Sequence, residues 1–257
     1  IPVIIPAAGE DPIFKKILNG KPKAMLEICG KTLLGHQIQT LNNNNLADIT
    51  VIAGYGRDQI QAEGITILEN LDYKNGSALN SLFVGKERMN NGFIMLYSDI
   101  LTEDIIIKEL MSRRENIILV ADNSTQYHEP QEGNTLDFII AKHQNKPARR
   151  EIRFASENVV AKIGSKINPV TASHEFIGLA RFSKTGAEQL IETYNDVIKN
   201  YQGRFQESED ISKLNFTDLI QEMIDRGFIV HYMEIHKGWL EIHNAEHIAL
   251  AEKSFSE

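Results

Sequence analysis

At 257 residues, with 42% hydrophobic and 24% charged side chains, the chain has the apolar mass for a substantial core, which argues against a disordered chain. A formal charge of −8, from 27 basic and 35 acidic residues, excludes a surface that binds polyanions throughout, so nucleic acid is not an expected partner. No apolar run approaches the ~20 residues of a membrane-spanning helix, and the opening IPVIIPAAGE lacks a secretion signal's basic region, so a cytoplasmic protein with no membrane partner is expected.

The chain begins without methionine inside an apolar run, which sets the expectation of a longer native chain. Residues 2–6 (PVIIP) read as a strand buried on both faces of a parallel sheet. A loop rich in Gly, Pro and Lys follows. Cys29, the sole cysteine, cannot form an internal disulfide and is expected as a small core residue at a buried strand end. Thr32 can cap a helix that carries Leu33, Leu34, Ile38 and Leu41 on one face and ends among Asn42 to Asn45, where a left-handed residue is tolerated. The segment 48–53 (DITVIA) is a second buried strand, broken by Gly54 and Gly56. A short helix from Arg57, a strand Ile65 to Leu68, a helix from Ser77 to Met89, a strand 93–97 (FIMLY), a helix 103–112 and a strand 116–121 (NIILVA) continue the alternation.

Alternating helices and fully apolar strands predict an α/β, doubly wound sheet. After residue 122 the segments DFIIAK, REIRFA, NVVAKIG and EFIGLARF predict antiparallel strands added to that unit. Helices near 183–200 and 216–226, a strand FIVHYMEI, a last strand reaching Gly238 to His243 and a terminal helix after Asn244 complete the reading.

Ligands of open α/β sheets bind beyond the carboxyl ends of the strands. The first strand ends in Ala7, Ala8 and Gly9, small residues that admit a phosphate or base edge to the backbone, or simply turn the chain. The strand at 93–97 leads to Asp99, either a ligand for a hard cation or a turn former. Alternation sets Trp239, Glu241 and His243 on one side of the last strand, with Glu241 and His243 as metal ligands or as the solvated side of an edge, though a histidine beside a carboxylate is more often structural and His243 is left out of the expected metal set.

In order along the chain, AAG, Lys21-Pro22-Lys23-Ala24-Met25-Leu26, Gly30-Lys31-Thr32-Leu33-Leu34, the strand-end Asp99 and a carboxylate two residues after Trp239 resemble the sugar-phosphate and choline-phosphate nucleotidyltransferases. The segments VIAGY, NLDYKNGSALNSL, VADNS, EFIG and HKGWLEIHNAEHI are most similar to the cytidylyltransferase domains of phosphonate biosynthesis, often fused to phosphoenolpyruvate phosphomutase. The resemblance implies a Rossmann-like nucleotidyltransferase fold: a mostly parallel mixed sheet with an antiparallel insert, a nucleotide-binding core at 1–122 and an acceptor-binding part at 123–257.

It further implies CTP and a small phosphonate or phosphate ester as substrates, with Mg²⁺ held by Asp99 and Glu241. Ala7, Ala8 and Gly9 would meet the nucleotide through their backbone, and Lys23 would hold phosphate charge. Gly76, Ser77, Asn80 and Ser81 would lie near base and ribose. Asp122, at a strand's end, is an expected acceptor contact or simply a turn former, Glu175 is a further expected acceptor contact, and Arg149, Arg150 and Arg153 are cations for the acceptor's anionic group or plain solvent-facing charges. The chain departs from the family in one respect: no arginine follows the AAG, where Glu10, Asp11, Lys15 and Lys16 stand instead, and a lysine lacks arginine's bidentate fork. Rival readings are a phosphocholine or sugar-1-phosphate nucleotidyltransferase and a non-catalytic nucleotide-binding regulatory domain. No G-x-G-x-x-G follows the first strand, which disfavours a dinucleotide-binding dehydrogenase.

Overall fold

The computed structural model describes residues 1–14, 17–124, 136–142 and 158–254. In chain order the first half forms β1 (Val3–Ala7), β2 (Glu27–Ile28), β3 (Lys31–Thr32), α1 (Leu33–Asn43), β4 (Ile49–Ala53), β5 (Ile65–Glu69), α2 (Ala78–Val84), β6 (Phe93–Leu96), β7 (Ile100–Thr102), α3 (Asp104–Ser112) and β8 (Ile117–Asp122). The second half forms β9 (Phe138–Ala141), β10 (Val160–Gly164), β11 (His174–Phe182), α4 (Lys184–Asn200), α5 (Phe216–Asp225), β12 (His231–Ile235), β13 (Trp239–Glu241) and α6 (Ala245–Ser254).

Among the described residues the main sheet runs β10-β9-β11-β6-β1-β4-β5, with β8 paired to β11 and β12. Strands β5, β4, β1 and β6 are mutually parallel, as are β8 and β12, while β11 lies antiparallel to β6, β8 and β9. This is an α/β fold with a mixed sheet, parallel on one side and antiparallel in the added strands. The apolar strands read as continuous because both faces are covered. Ile4, Ile52, Phe93, Phe182 and Phe216 share one core cluster, and Val3, Ile5, Val51, Leu34 and Ile107 share a second. Successive residues of β1 thus enter opposite layers, as the two-residue period demands.

Local signals held where they were chemical. The Thr32 side chain accepts from Gly35 N at the start of α1, and Asn45 takes φ +60° just beyond its end. Propensity overran in two places: α2 stops at Val84 before Gly85, with one 3₁₀ turn after it, and Arg57–Gln59 make only a single 3₁₀ turn. Cys29 corrects its expectation: it is exposed, at φ +51° beside Gly30 at +75°, in the two-residue turn between β2 and β3. Two successive left-handed residues suit the twist of a tight hairpin, and that demand outranks apolar character. The expected strand REIRFA lies outside the described residues.

Candidate active site

Strands β1, β4 and β6 are parallel, so their carboxyl ends open on one edge of the sheet, and the site is built there. Ala7 and Ala8 are buried, and the Ala8 carbonyl accepts from Tyr55 N at 2.9 Å. A Cβ on Gly54 would meet that carbonyl at 2.8 Å, so the two strand ends are closely packed. Gly9 is exposed, with open space where a side chain would stand. The backbone therefore becomes approachable only past Ala8.

Residues 11–14 after Gly9 are folded into a turn. Asp11 Oδ1 accepts from Ile13 N (2.9 Å) and Phe14 N (3.3 Å), a side-chain turn that swings Phe14 inward. Phe14 is fully buried in a third apolar cluster with Leu18, Leu26, Ile28, Leu33 and Ile242. The other Asp11 oxygen lies 3.2 Å from Lys23 Nζ, and Lys23 also lies over the Phe14 ring at 5.4 Å from its centre. Pro22, at ψ 154°, delivers Lys23 into a single 3₁₀ turn. The Asp-x-Ile-Phe pattern was the sequence signal for this turn.

Lys23 Nζ donates to Asp99 Oδ2 at 3.0 Å. Burial lowers the Lys23 pKa, but Asp99 and then Asp11 more than offset it, so the ammonium stays charged above its ordinary range. Asp99 follows β6, and the short ribbon of β7 and β13 sets Glu241 opposite Ile100. The Asp99 carbonyl accepts from Ile242 N at 3.0 Å, so the backbones of the two acids are joined. Beneath them, the buried Gln37 side chain donates to the carbonyls of Tyr97 (2.7 Å) and Ile100 (2.8 Å), bracing the turn that carries Asp99. Lys23, Asp99 and Glu241 thus come together.

Glu241 has a raised pKa, first through burial and then through the charge of Asp99, although His243 Nε2 stands 2.8 Å from its Oε2 and works the other way. A buried Glu241 carboxylate that is costly to ionise beside the charge of Asp99 suits a shared divalent cation. Mg²⁺ usually keeps several waters and takes one or two protein carboxylates alongside phosphates. Among the described residues no group of three or more His, Cys, Asp or Glu side chains is arranged to hold a metal ion. The residues present fit Mg²⁺ brought with a nucleotide.

A second acidic set lies beside the first. Burial, followed by the charges of Glu241, Asp122 and Asp137, pushes Glu175 up to about 8. Burial also pushes Asp137 up to about 7, with Glu241 and Glu207 adding to it and a Thr217 hydrogen bond opposing. Asp137 was not singled out in the sequence, because it falls in a strand's leading turn. Tyr97 joins the two sets: burial raises its hydroxyl well above the ordinary range, with Asp137, Asp99 and Glu241 contributing. Strand β11 shifts register between Phe176 and Ala180, around Gly178 at φ +80°. A side chain there would strike the Tyr97 ring at 2.4 Å, so the glycine makes room for that tyrosine.

Asp122, an expected acceptor contact, closes β8. It is 2% exposed and accepts four hydrogen bonds from the protein, which commits it to the scaffold. Ser77 caps α2 in a box with Asn80, and its hydroxyl also reaches the Leu214 carbonyl. Ser81 receives the Asn70 amide at 3.0 Å, and a Cβ on Gly76 would touch Asn80. The side chains of Ser77, Asn80 and Ser81 are therefore spent on local structure, and backbone is what this corner can offer a nucleotide. Arg149, Arg150 and Arg153 lie outside the described residues, as do Lys15 and Lys16.

The model of the MobA-like NTP transferase domain matches residues 4–194. The choline-phosphate cytidylyltransferase of Streptococcus pneumoniae is 28% identical over 96 residues, 36% of this chain and 42% of that protein. The alignment thus spans less than half of that curated relative. The solved CTP:phosphocholine cytidylyltransferase from the same organism superposes with a TM-score of 0.70 at 15% identity, over 99% of this chain and 98% of that one. The inositol-1-phosphate CTP transferase from T. maritima superposes with a TM-score of 0.71 at 17% identity, over 98% and 95%. At those identities the superpositions establish the fold.

Proposed function

The chain belongs to the MobA-like NTP transferase domain family, and from that premise we propose that it transfers CMP from CTP to a small phosphonate, with 2-aminoethylphosphonate the favoured acceptor, and releases pyrophosphate. The observation that carries the reading is the meeting of Lys23, Asp99 and Glu241 at the carboxyl edge of β1 and β6. A phosphonate is largely ionised near neutral pH, so its oxygen needs no strong base to attack the α-phosphorus. A P–O bond forms there as the α–β phosphoanhydride breaks in line, and the protein contributes positioning and charge. Lys23, held ionised, offsets charge that develops on the α-phosphate oxygens. Mg²⁺ held by Asp99 and Glu241 would neutralise phosphate charge. Ala7, Ala8 and Gly9 offer backbone to the nucleotide.

The acceptor's chemistry is argued from charge. After burial, Glu175 feels the charges of Glu241, Asp122 and Asp137, while Asp137 feels those of Glu241 and Glu207 against a Thr217 hydrogen bond, and the pair is buried beside the reacting edge. A primary ammonium at one end of the acceptor would relieve that repulsion, which a neutral hydroxyl cannot do. The anionic end then falls to Arg149, Arg150 or Arg153. Phosphocholine, also cationic, is the second reading, and the partial likeness to a choline-phosphate cytidylyltransferase favours it over a sugar 1-phosphate.

The test is pyrophosphate release with each of four nucleoside triphosphates against aminoethyl-, hydroxyethyl- and hydroxymethylphosphonate, phosphocholine and a sugar 1-phosphate. Fastest turnover with CTP and the aminoethyl compound is expected, and Asp99→Asn should abolish it. Preference for phosphocholine would move the assignment to the second reading. Absence of release with every pair would leave a regulatory nucleotide-binding domain.

A further inference from the structure

Asp122 closes β8 and is almost completely buried, yet it carries a charge. Its burial opposes ionisation, but donors from Ser124 and Trp239 outweigh that and hold the carboxyl below the usual range. Oδ1 accepts from Ser124 N (2.9 Å) and Lys237 N (3.1 Å), and Oδ2 accepts from Ser124 Oγ (2.6 Å) and the Trp239 indole (2.8 Å). Two of these donors belong to the segment that leads into β13. That segment is sharply turned, with Lys237 at φ +65° and Gly238 at φ +79°. A left-handed lysine costs roughly 1 kcal/mol or more unless its surroundings hold it there. The Asp122 contact with Lys237 N supplies such a hold.

The consequence reaches the site by a short path. Strand β13 is not part of the main sheet; it pairs with β7 alone in a separate ribbon. The placement of Glu241 relative to β8 therefore depends on what ties the 237–239 turn down, and Trp239, two residues before Glu241, is tied by its indole to Asp122. We propose that Asp122 is a positioning residue: by clamping Lys237 and Trp239 it sets how far the Glu241 carboxylate reaches toward the ion shared with Asp99. This inference rests on the reading of Glu241 as a metal ligand.

Trp239 is the chain's sole tryptophan, so its fluorescence reports on the neighbourhood of Glu241. The experiment titrates Mn²⁺, a paramagnetic quencher, into the full chain with CTP present and reads the concentration for half-maximal quenching, with thermal unfolding run in parallel. Asp122→Asn is expected to raise that concentration roughly 10–100-fold, the usual effect of losing a support behind a metal ligand, to lower kcat, and to leave KM for the acceptor unchanged. Ser124→Ala keeps the carboxylate and removes one short donor; it should shift the midpoint in the same direction by less than the roughly 10-fold lower end of that scale, and it replaces Asp122→Asn if the latter does not fold. An unchanged midpoint in the folded variant overturns the proposal. Glu241→Gln separates the premise: an unchanged midpoint in that variant removes Glu241 from the metal and overturns the functional reading itself.

Discussion

The Lys23 ammonium stands 3.0 Å from the Asp99 carboxylate across 76 positions of sequence. Each partner is awkward alone, a lysine side chain 11% exposed and a carboxylate 23% exposed in an acidic recess. Lys23→Met should lower kcat about 10²–10³-fold, the scale of a lost transition-state charge contact. It should also leave Asp11, Asp99 and Glu241 without their shared cation. Pyrophosphate release in single turnover checks the first effect, and Lys23→Arg should not restore it, because a planar fork cannot occupy a point-charge position between two carboxylates. Activity within threefold of wild type in Lys23→Met would remove the lysine from the chemistry.

A raised carboxyl makes a prediction with a definite sign. Glu175 titrates near 8 in the folded chain against an ordinary value of 4.5, so the folded state binds its proton more tightly than the unfolded state. The stability this contributes is fully present below about pH 4.5 and is lost as pH rises toward about 8. Glu175→Gln escapes that loss. It should be more stable than wild type above about pH 8 by about 1–3 kcal/mol, seen as a higher urea midpoint at unchanged slope. Under the proposed reading the same group meets an ammonium once charged. KM for 2-aminoethylphosphonate should therefore fall between about pH 6.5 and 8.5 in wild type and stay flat in Glu175→Gln. A flat wild-type profile would detach Glu175 from the acceptor.

What was legible in the sequence is what local chemistry encodes. Two-sided burial made Val3–Ala7 and Ile49–Ala53 continuous apolar runs, and the Thr32 cap and the asparagine terminus of α1 follow from short-range hydrogen bonding. Lys23, Asp99 and Glu241, which the fold brings together, were singled out because Lys23 follows a stiffening proline, Asp99 follows a strand and Glu241 stands two residues after Trp239. Asp137 and the Asp122 clamp were not, since their meaning comes from partners such as Thr217 at 80 positions and Trp239 at 117 positions away. No periodicity records such contacts. Cys29 was misread for the converse reason, as its apolar character said less than the turn geometry between β2 and β3.

Phe14 lets the loop's packing be tested apart from its charges. It is fully buried, so Phe14→Ala should cost about 3–5 kcal/mol if the cavity does not collapse. Its loss also frees the Asp11 turn and the face under Lys23. KM for the nucleotide should rise more than KM for the acceptor, because the disturbed loop follows Gly9 and not β11. Phe14→Leu, which keeps most of the volume, should recover most of the stability and the nucleotide KM. Equal rises in both KM values would make the loop a general prop.

Gly178 joins backbone necessity to the site in a single position. Its φ of +80° is one that residues with a Cβ adopt at a cost, and a Cβ there would sit 2.4 Å from the Tyr97 ring, closer than real contacts allow. Gly178→Ala must therefore move either β11 or Tyr97. Strand β11 is held by β6, β8 and β9, and the Gly178 carbonyl accepts from Tyr97 N at 2.9 Å, so the ring is the softer element. Destabilisation of about 2–4 kcal/mol is expected from strain and overpacking together. The displaced ring lies two residues before Asp99 and within the field of Asp137 and Glu241, so kcat should fall even where the variant is fully folded. Urea denaturation and kcat measured well below the unfolding transition separate the two effects. Tyr97→Ala in the Gly178→Ala background should recover part of the stability, because it removes the atom the new methyl strikes. Additive losses in the double variant would show that the strain resides in the backbone alone, and the link from Gly178 to Asp99 would then fail.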